Sequence, residues 1–189
     1  MEKYKIGYCI CGSFCTIEKT LNAMEKLSKK YDILPIVSEI VASTDTRFGK
    51  AEEIIERIEK ICSKKVVSTI TQAEPIGPKN LTDIMIIAPA TGNTLAKLAN
   101  GIVDTSVTMA AKSHLRNSRP LIIAPSTNDA LGAAAKNIGK LLEKKNYYFV
   151  PFTQDNPEKK PKSMVADFGK IEVAVEAAIN GIQLQPIVF

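Results

Sequence analysis

Five short runs in this chain, Ile6 to Ile10, Ile33 to Val37, Ile84 to Ala88, Leu121 to Ala124 and Tyr147 to Val150, are apolar almost without interruption. A strand wetted on one face alternates polar and apolar side chains, so near-continuous runs imply strands buried on both faces. The segments between them change period. Ile17, Leu21, Met24 and Leu27 fall on one helical face, as do Ala51, Ile54, Ile55, Ile58 and Ile61, and each stripe is wide enough to lie on a sheet. A last helix is expected through Met164, Phe168, Ile171, Val175 and Ile179, closed by Gly181 where a left-handed C-cap is wanted.

Strand and helix in regular alternation predict an α/β fold built on right-handed crossovers: a single doubly wound parallel sheet, a flavodoxin- or Rossmann-like three-layer sandwich. With 189 residues, one domain over 1–189 is expected. In such sheets ligands bind where loops leave the carboxyl ends of the strands. Those loops are 11–16, 38–48, 89–94, 125–128 and 151–161.

The stretch from Glu2, Lys3 and Lys5 into the first apolar run ends at Gly12, too short for a signal-peptide core or a membrane span. A cytoplasmic location is expected, and with it Cys9, Cys11, Cys15 and Cys62 as free thiols. Cys9 and Cys11 share a strand face and no fourth ligand stands near, so no metal is assigned. The net charge of +5 comes from scattered lysines, with a concentration at Lys159, Lys160 and Lys162. Without an arginine stripe interleaved with aromatics, neither nucleic acid nor a membrane is expected as partner, whereas anionic small ligands fit.

The loops carry the chemistry. Cys11-Gly12-Ser13-Phe14 is either a plain tight turn or an anion site at a helix start, and it lacks the glycine spacing of dinucleotide folds and of nucleotide hydrolases. Ser38, Ser43, Thr44, Asp45, Thr46 and Arg47 make the second loop polar and rich in hydroxyls. Either several donors among them converge on a phosphate, or one residue caps the helix beginning near Ala51 and the others are solvated. Pro89-Ala90-Thr91-Gly92-Asn93-Thr94 combines small residues, which let a planar ligand approach the backbone, with side-chain donors beside a helix N-terminus.

That last run, with Ala96-Lys97, Gly101-Ile102 and Asp104 behind it, is similar to a segment of the flavoprotein family that includes peptidyl-cysteine decarboxylases, phosphopantothenoylcysteine decarboxylase and flavin prenyltransferases. Gly12-Ser13 and Ser38 match, in order, positions this family uses around FMN. Four further segments look like the B-subunit family of dipicolinate synthases: Ser43 to Gly49, Ala73 to Lys79, Ser126 to Gly132 and Tyr148 to Pro161. The resemblance implies FMN as cofactor and, as partner, the dipicolinate synthase A subunit, a separate chain of nucleotide-binding type. It implies oxidation of dihydrodipicolinate to dipicolinate, a small dicarboxylate, in the mother cell of a sporulating bacterium, and assembly as a homo-oligomer. Alternatives of another class are a non-catalytic flavin- or substrate-binding partner of that nucleotide-binding chain, or a prenyltransferase- or decarboxylase-like enzyme.

Carried over residue by residue, the resemblance implies that Gly12, Ser13, Phe14, Ser38, Thr91 and Asn93 contact FMN, with Pro89 and Ala90 forming the wall against the flavin and Ser43 and Thr46 completing the cofactor set. Pro125 and Asn128 keep two positions of the decarboxylases' P-x-M-N motif, with Thr127 in place of Met, and Asn128 is expected to face substrate. A dianionic substrate needs charged partners at its carboxylates. Pro161-Lys162-Ser163 is similar to a late loop of the prenyltransferases, so Lys160 or Lys162 is expected to close over it. The decarboxylases carry an active-site histidine after the second strand, whereas the segment from Ser38 to Cys62 has none. The lone His114 is expected at a helix surface or cap, and no catalytic base is identified. Ile102, Val103, Val107 and Met109 are either subunit contacts or core.

Overall fold

The structure, a computed structural model, describes residues 3–189; Glu2 of the charged N-terminal stretch lies outside them. The five apolar runs are strands: β1 (Lys5–Ile10), β2 (Asp32–Val37), β3 (Ile84–Ala90), β4 (Leu121–Thr127) and β5 (Tyr147–Phe149). They pair in parallel in the order β2-β1-β3-β4-β5. The chain winds outward from β1 to β2 and then crosses back to β3 on the other side of β1, so the strand order reverses between β1 and β3.

Among the described residues, eight helices connect and flank the strands: α1 (Ile17–Ser28), α2 (Glu39–Ser43), α3 (Ala51–Cys62), α4 (Ile70–Ala73), α5 (Gly92–Asn100), α6 (Ser106–Leu115), α7 (Ala135–Leu142) and α8 (Ile171–Ile179). Contacts divide them into two groups, α1, α2, α3 and α8, joined through α1 and α3, and α4 to α7 among themselves. Both α3 and α6 touch β2, and both α5 and α8 touch β4, so the sheet is covered on both faces. Ile17, Leu21, Met24 and Leu27 of α1 are all buried, as are Ala51, Ile54 and Ile58 of α3, with Ile55 and Ile61 packed partly buried beside them.

Three expectations need correction. The segment 151–161 is not an open loop: β6 (Phe152–Asn156) and β7 (Lys160–Ala166) form an antiparallel hairpin, and β7 pairs with the last residues of β4, beyond where β5 stops. The sheet is therefore mixed, a parallel core extended by an antiparallel ribbon. Its polar sequence hides it: β6 is the edge strand, and Lys160, Pro161 and Lys162 precede the β7 residues that pair with β4, where charge and proline are tolerated. Lys160 and Lys162 accordingly sit on a strand.

The second correction follows from the first. Met164 belongs to β7, and the helical stripe begins only with the turn at Phe168–Lys170, where the Asp167 side chain accepts from the Gly169 amide. The third is His114, which is neither at the surface nor a cap. It is fully buried on α6, with Nδ1 2.8 Å from Thr82 Oγ1 and Nε2 2.9 Å from the Pro120 carbonyl. Burial pushes its pKa down to about 4 despite the Pro120 hydrogen bond, so the ring is neutral. It then donates from Nε2 and accepts from Thr82.

Of the apolar residues near the third loop, Val107 is core and Met109 is packed half-buried against it, while Ile102 is exposed. No helix among the described residues is long and apolar enough to cross a membrane.

Candidate functional site

The carboxyl ends of β1, β3 and β4 open onto a cavity of about 840 Å³ at the point where the strand order reverses. That lies in the upper part of the ~300–1,000 Å³ range typical of small-molecule sites. Seven predicted residues line it: Gly12, Ser13, Phe14, Thr91, Asn93, Asn128 and Lys160.

Hydrogen bonds between loops hold the floor together. Ser13 Oγ lies 2.9 Å from Ser126 Oγ, joining the end of β1 to the end of β4. Thr16 donates from both its amide and its hydroxyl to the Ser13 carbonyl, which closes the first turn. Thr94 Oγ1 donates to Cys11 Sγ at 3.2 Å, tying the third loop to the first. Beneath them Thr20 Oγ1 donates to the Ala88 carbonyl at 2.6 Å and meets the Tyr8 hydroxyl at 2.9 Å, fixing the end of β3 from below. Such buried networks rigidify what they support when every member is satisfied.

The third loop is a helix start put to use. Thr91 is the N-cap of α5 and accepts from the Thr94 amide, leaving the Gly92 and Asn93 amides at the open end of the helix. Gly92 sits in a close approach. A Cβ there would lie 2.8 Å from Asp129 Oδ1 and 2.9 Å from Thr127 Oγ1, so those two side chains would have to shift. A Cβ on Gly12 would likewise meet Ile40 at 3.0 Å. Thr127 donates to Asp129 at 2.5 Å, presenting that carboxylate to the cavity.

Other predicted residues stand apart from the lining. Ser43 lies on α2, exposed, and donates back to the Glu39 carbonyl. Thr46 accepts from the Phe48 amide in a local turn. Both hydroxyls are engaged in backbone bonds. Pro89 and Ala90 are buried within β3, below the cavity surface. Lys162 is exposed, its backbone carbonyl accepting from Leu131. Ser38 caps the start of α2 without a side-chain bond, and its hydroxyl is buried with no partner among the described residues. Such a group calls for an explanation, and an acceptor or donor supplied by a ligand at the strand end is one.

Lys160 reaches the cavity but is paired: its ammonium donates to Asp155 at 2.9 Å, and that bond raises its pKa. Arg47 of the polar second loop also lines the cavity, as do Asp129 and Lys19, which the sequence by itself does not single out. Nothing in their spacing marks them, because a charge becomes informative only once its partner, or want of one, is known. Of the thiols, Cys15 is exposed at the cavity edge, while burial pushes Cys11 up to about 11 and Cys9 well above its ordinary value. No group of three or more metal-ligating side chains occurs among the described residues.

The chain matches the sequence pattern of the family described as Flavoprotein over residues 1–180. It is 44% identical over 184 residues to the dipicolinate synthase B subunit of Bacillus subtilis, covering 97% of this chain and 92% of the relative. The crystal structure of the dipicolinate synthase B subunit from Bacillus halodurans superimposes with a TM-score of 0.90 at 42% identity, covering 100% of this chain and 98% of that one. The FMN-dependent cysteine decarboxylase SpaF shares the fold at a TM-score of 0.68 and 22% identity, over 94% of this chain and 96% of that one.

Proposed function

The chain belongs to the flavoprotein family, and from that premise we propose that it is the FMN-binding component of a dipicolinate synthase, a single flavoprotein domain that oxidises dihydrodipicolinate to dipicolinate together with the nucleotide-binding A subunit. What carries the reading is the likeness over nearly the whole length to two dipicolinate synthase B subunits, combined with a large cavity at the switch point of the sheet. A sporulating mother cell is the setting this reading implies, and a homo-oligomer its form.

The residues present fit a flavin nucleotide. Gly12 and Gly92 line the cavity with bare backbone, and Ser13, Thr91 and Asn93 offer polar groups along it. The buried Ser38 hydroxyl, at the adjoining strand end, has no partner among the described residues. Bound there, the flavin supplies an acceptor for the hydride that leaves the dihydropyridine ring. Aromatisation of that ring also releases a proton. Asp129, held by Thr127 and free of any ion pair among the described residues, is the carboxylate placed to take it. Asn128, exposed on the same turn, orients the substrate. Decarboxylation of a cysteine peptide is a poorer reading, since the lone histidine is neutral, buried and bonded to Thr82 and Pro120.

The test is a visible spectrum and a melting curve with added FMN, followed by assay with the nucleotide-binding partner. Flavin bands, a stabilisation near the ~2.7 kcal/mol expected at a hundredfold the dissociation constant, and turnover of dihydrodipicolinate are the expected results. No bands and no shift at saturating FMN would overturn the cofactor, and FMN binding without turnover would overturn the reaction.

A further inference from the structure

Five charged side chains line the cavity: Lys19, Arg47, Lys160, Asp129 and Asp155. Their partners separate them. Lys160 and Asp155 satisfy each other at 2.9 Å, and Asp129 accepts from Thr127. Among the described residues Lys19 has no carboxylate or carbonyl partner, and Arg47 makes only a ring contact, its guanidinium 4.8 Å from the centre of Phe48. Two cations from different elements, the first turn of α1 and the loop between α2 and α3, thus face one cavity without an ion-pair partner among the described residues. Stacking on Phe48 also restricts the guanidinium, so less rotamer freedom is lost when it takes an anion.

We propose that Lys19 and Arg47, and not the hairpin lysines, are the specificity-determining residues for a dicarboxylate, one cation for each carboxylate group. The proposal rests on the reading of the cavity as a flavin and pyridine-dicarboxylate site. The neutral donors of the first and third loops, Ser13, Thr91 and the amides opening α5, are enough for a phosphate without drawing on either cation. A ligand with two carboxylates set apart on a planar ring is the anion that uses both, since each charge-assisted bond compensates the water it displaces. Lys19 and Val165 also line an adjoining groove of about 500 Å³.

The experiment titrates the FMN-loaded protein with pyridine-2,6-dicarboxylate and with pyridine-2-carboxylate, following the flavin absorption band, while FMN affinity is measured separately on the cofactor-free chain. The wild-type protein is expected to prefer the dicarboxylate at least ~10-fold, and Lys19→Met and Arg47→Gln each to lose ~10-fold or more on it while approaching the monocarboxylate value. FMN affinity stays within about twofold, Lys19→Arg restores binding, and Lys160→Met loses less than about threefold because its ammonium is already paired at the surface. Unchanged dicarboxylate binding in both variants would overturn the proposal. Loss of FMN affinity with the ligand preference intact would assign the cations to the cofactor phosphate and overturn it too. A wild-type protein that takes up FMN yet ignores the dicarboxylate would overturn the proposed function itself, a result distinguishable from the other two.

Discussion

Lowering the pH from 7 to 5 should destabilise this protein through His114, by an amount set by its surroundings. The ring is fully buried between Thr82 and the Pro120 carbonyl, and burial, reinforced by the Arg119 charge, holds its pKa down to about 4. In the unfolded chain an exposed imidazole titrates near 6.5. Between those values the unfolded state binds the extra proton, so stability is complete above about pH 6.5 and is lost as pH falls toward 4. Integrated from pH 7 to pH 5, the loss is about 2 kcal/mol. His114→Gln removes the titrating group and disturbs two buried hydrogen bonds, so it should cost roughly 2–4 kcal/mol at pH 7. The useful quantity is the gap between variant and wild type, because other groups titrate in both. Urea denaturation at the two pH values should find that gap smaller by about 2 kcal/mol at pH 5. A gap independent of pH would refute a neutral, buried His114. An FMN affinity that followed the same substitution would refute its purely structural placement.

Two further outcomes follow from the site. Ser38→Ala removes a buried hydroxyl that has no partner among the described residues, so the cofactor-free protein should melt a few degrees higher, for a gain of about 1 kcal/mol, while the shift produced by FMN becomes smaller; a variant binding FMN like wild type would remove Ser38 from the cofactor set. Asp129→Asn keeps an acceptor for the Thr127 hydroxyl but loses the basic group, and turnover with the nucleotide-binding partner should fall roughly 10²- to 10⁴-fold with FMN affinity retained; undiminished turnover would exclude Asp129 as proton acceptor.

The parallel core was legible because its cause is local. Strands such as Ile84 to Ala88 must be buried on both faces, and stripes such as Ile17 to Leu27 must find a sheet to cover, so residue type and period were sufficient. Site loops were legible for a related reason: the order of strands fixes which ends converge, and Gly12, Ser13, Thr91 and Asn93 fall there by chain position. The β6–β7 hairpin escaped because its stability comes from pairing with β4 rather than from its own polar sequence.

Charge partnership was decided wholly by the tertiary structure. Lys159, Lys160 and Lys162 look like the natural anion site as a string of letters, yet Lys160 is paired with Asp155, and Lys162 is outside the cavity lining. Lys19 and Arg47 are the cations that face the cavity with no ion-pair partner among the described residues. Apolar periodicity is a property of one segment and can be read along it, whereas the free charge at a site depends on which distant side chains the fold brings within hydrogen-bonding reach.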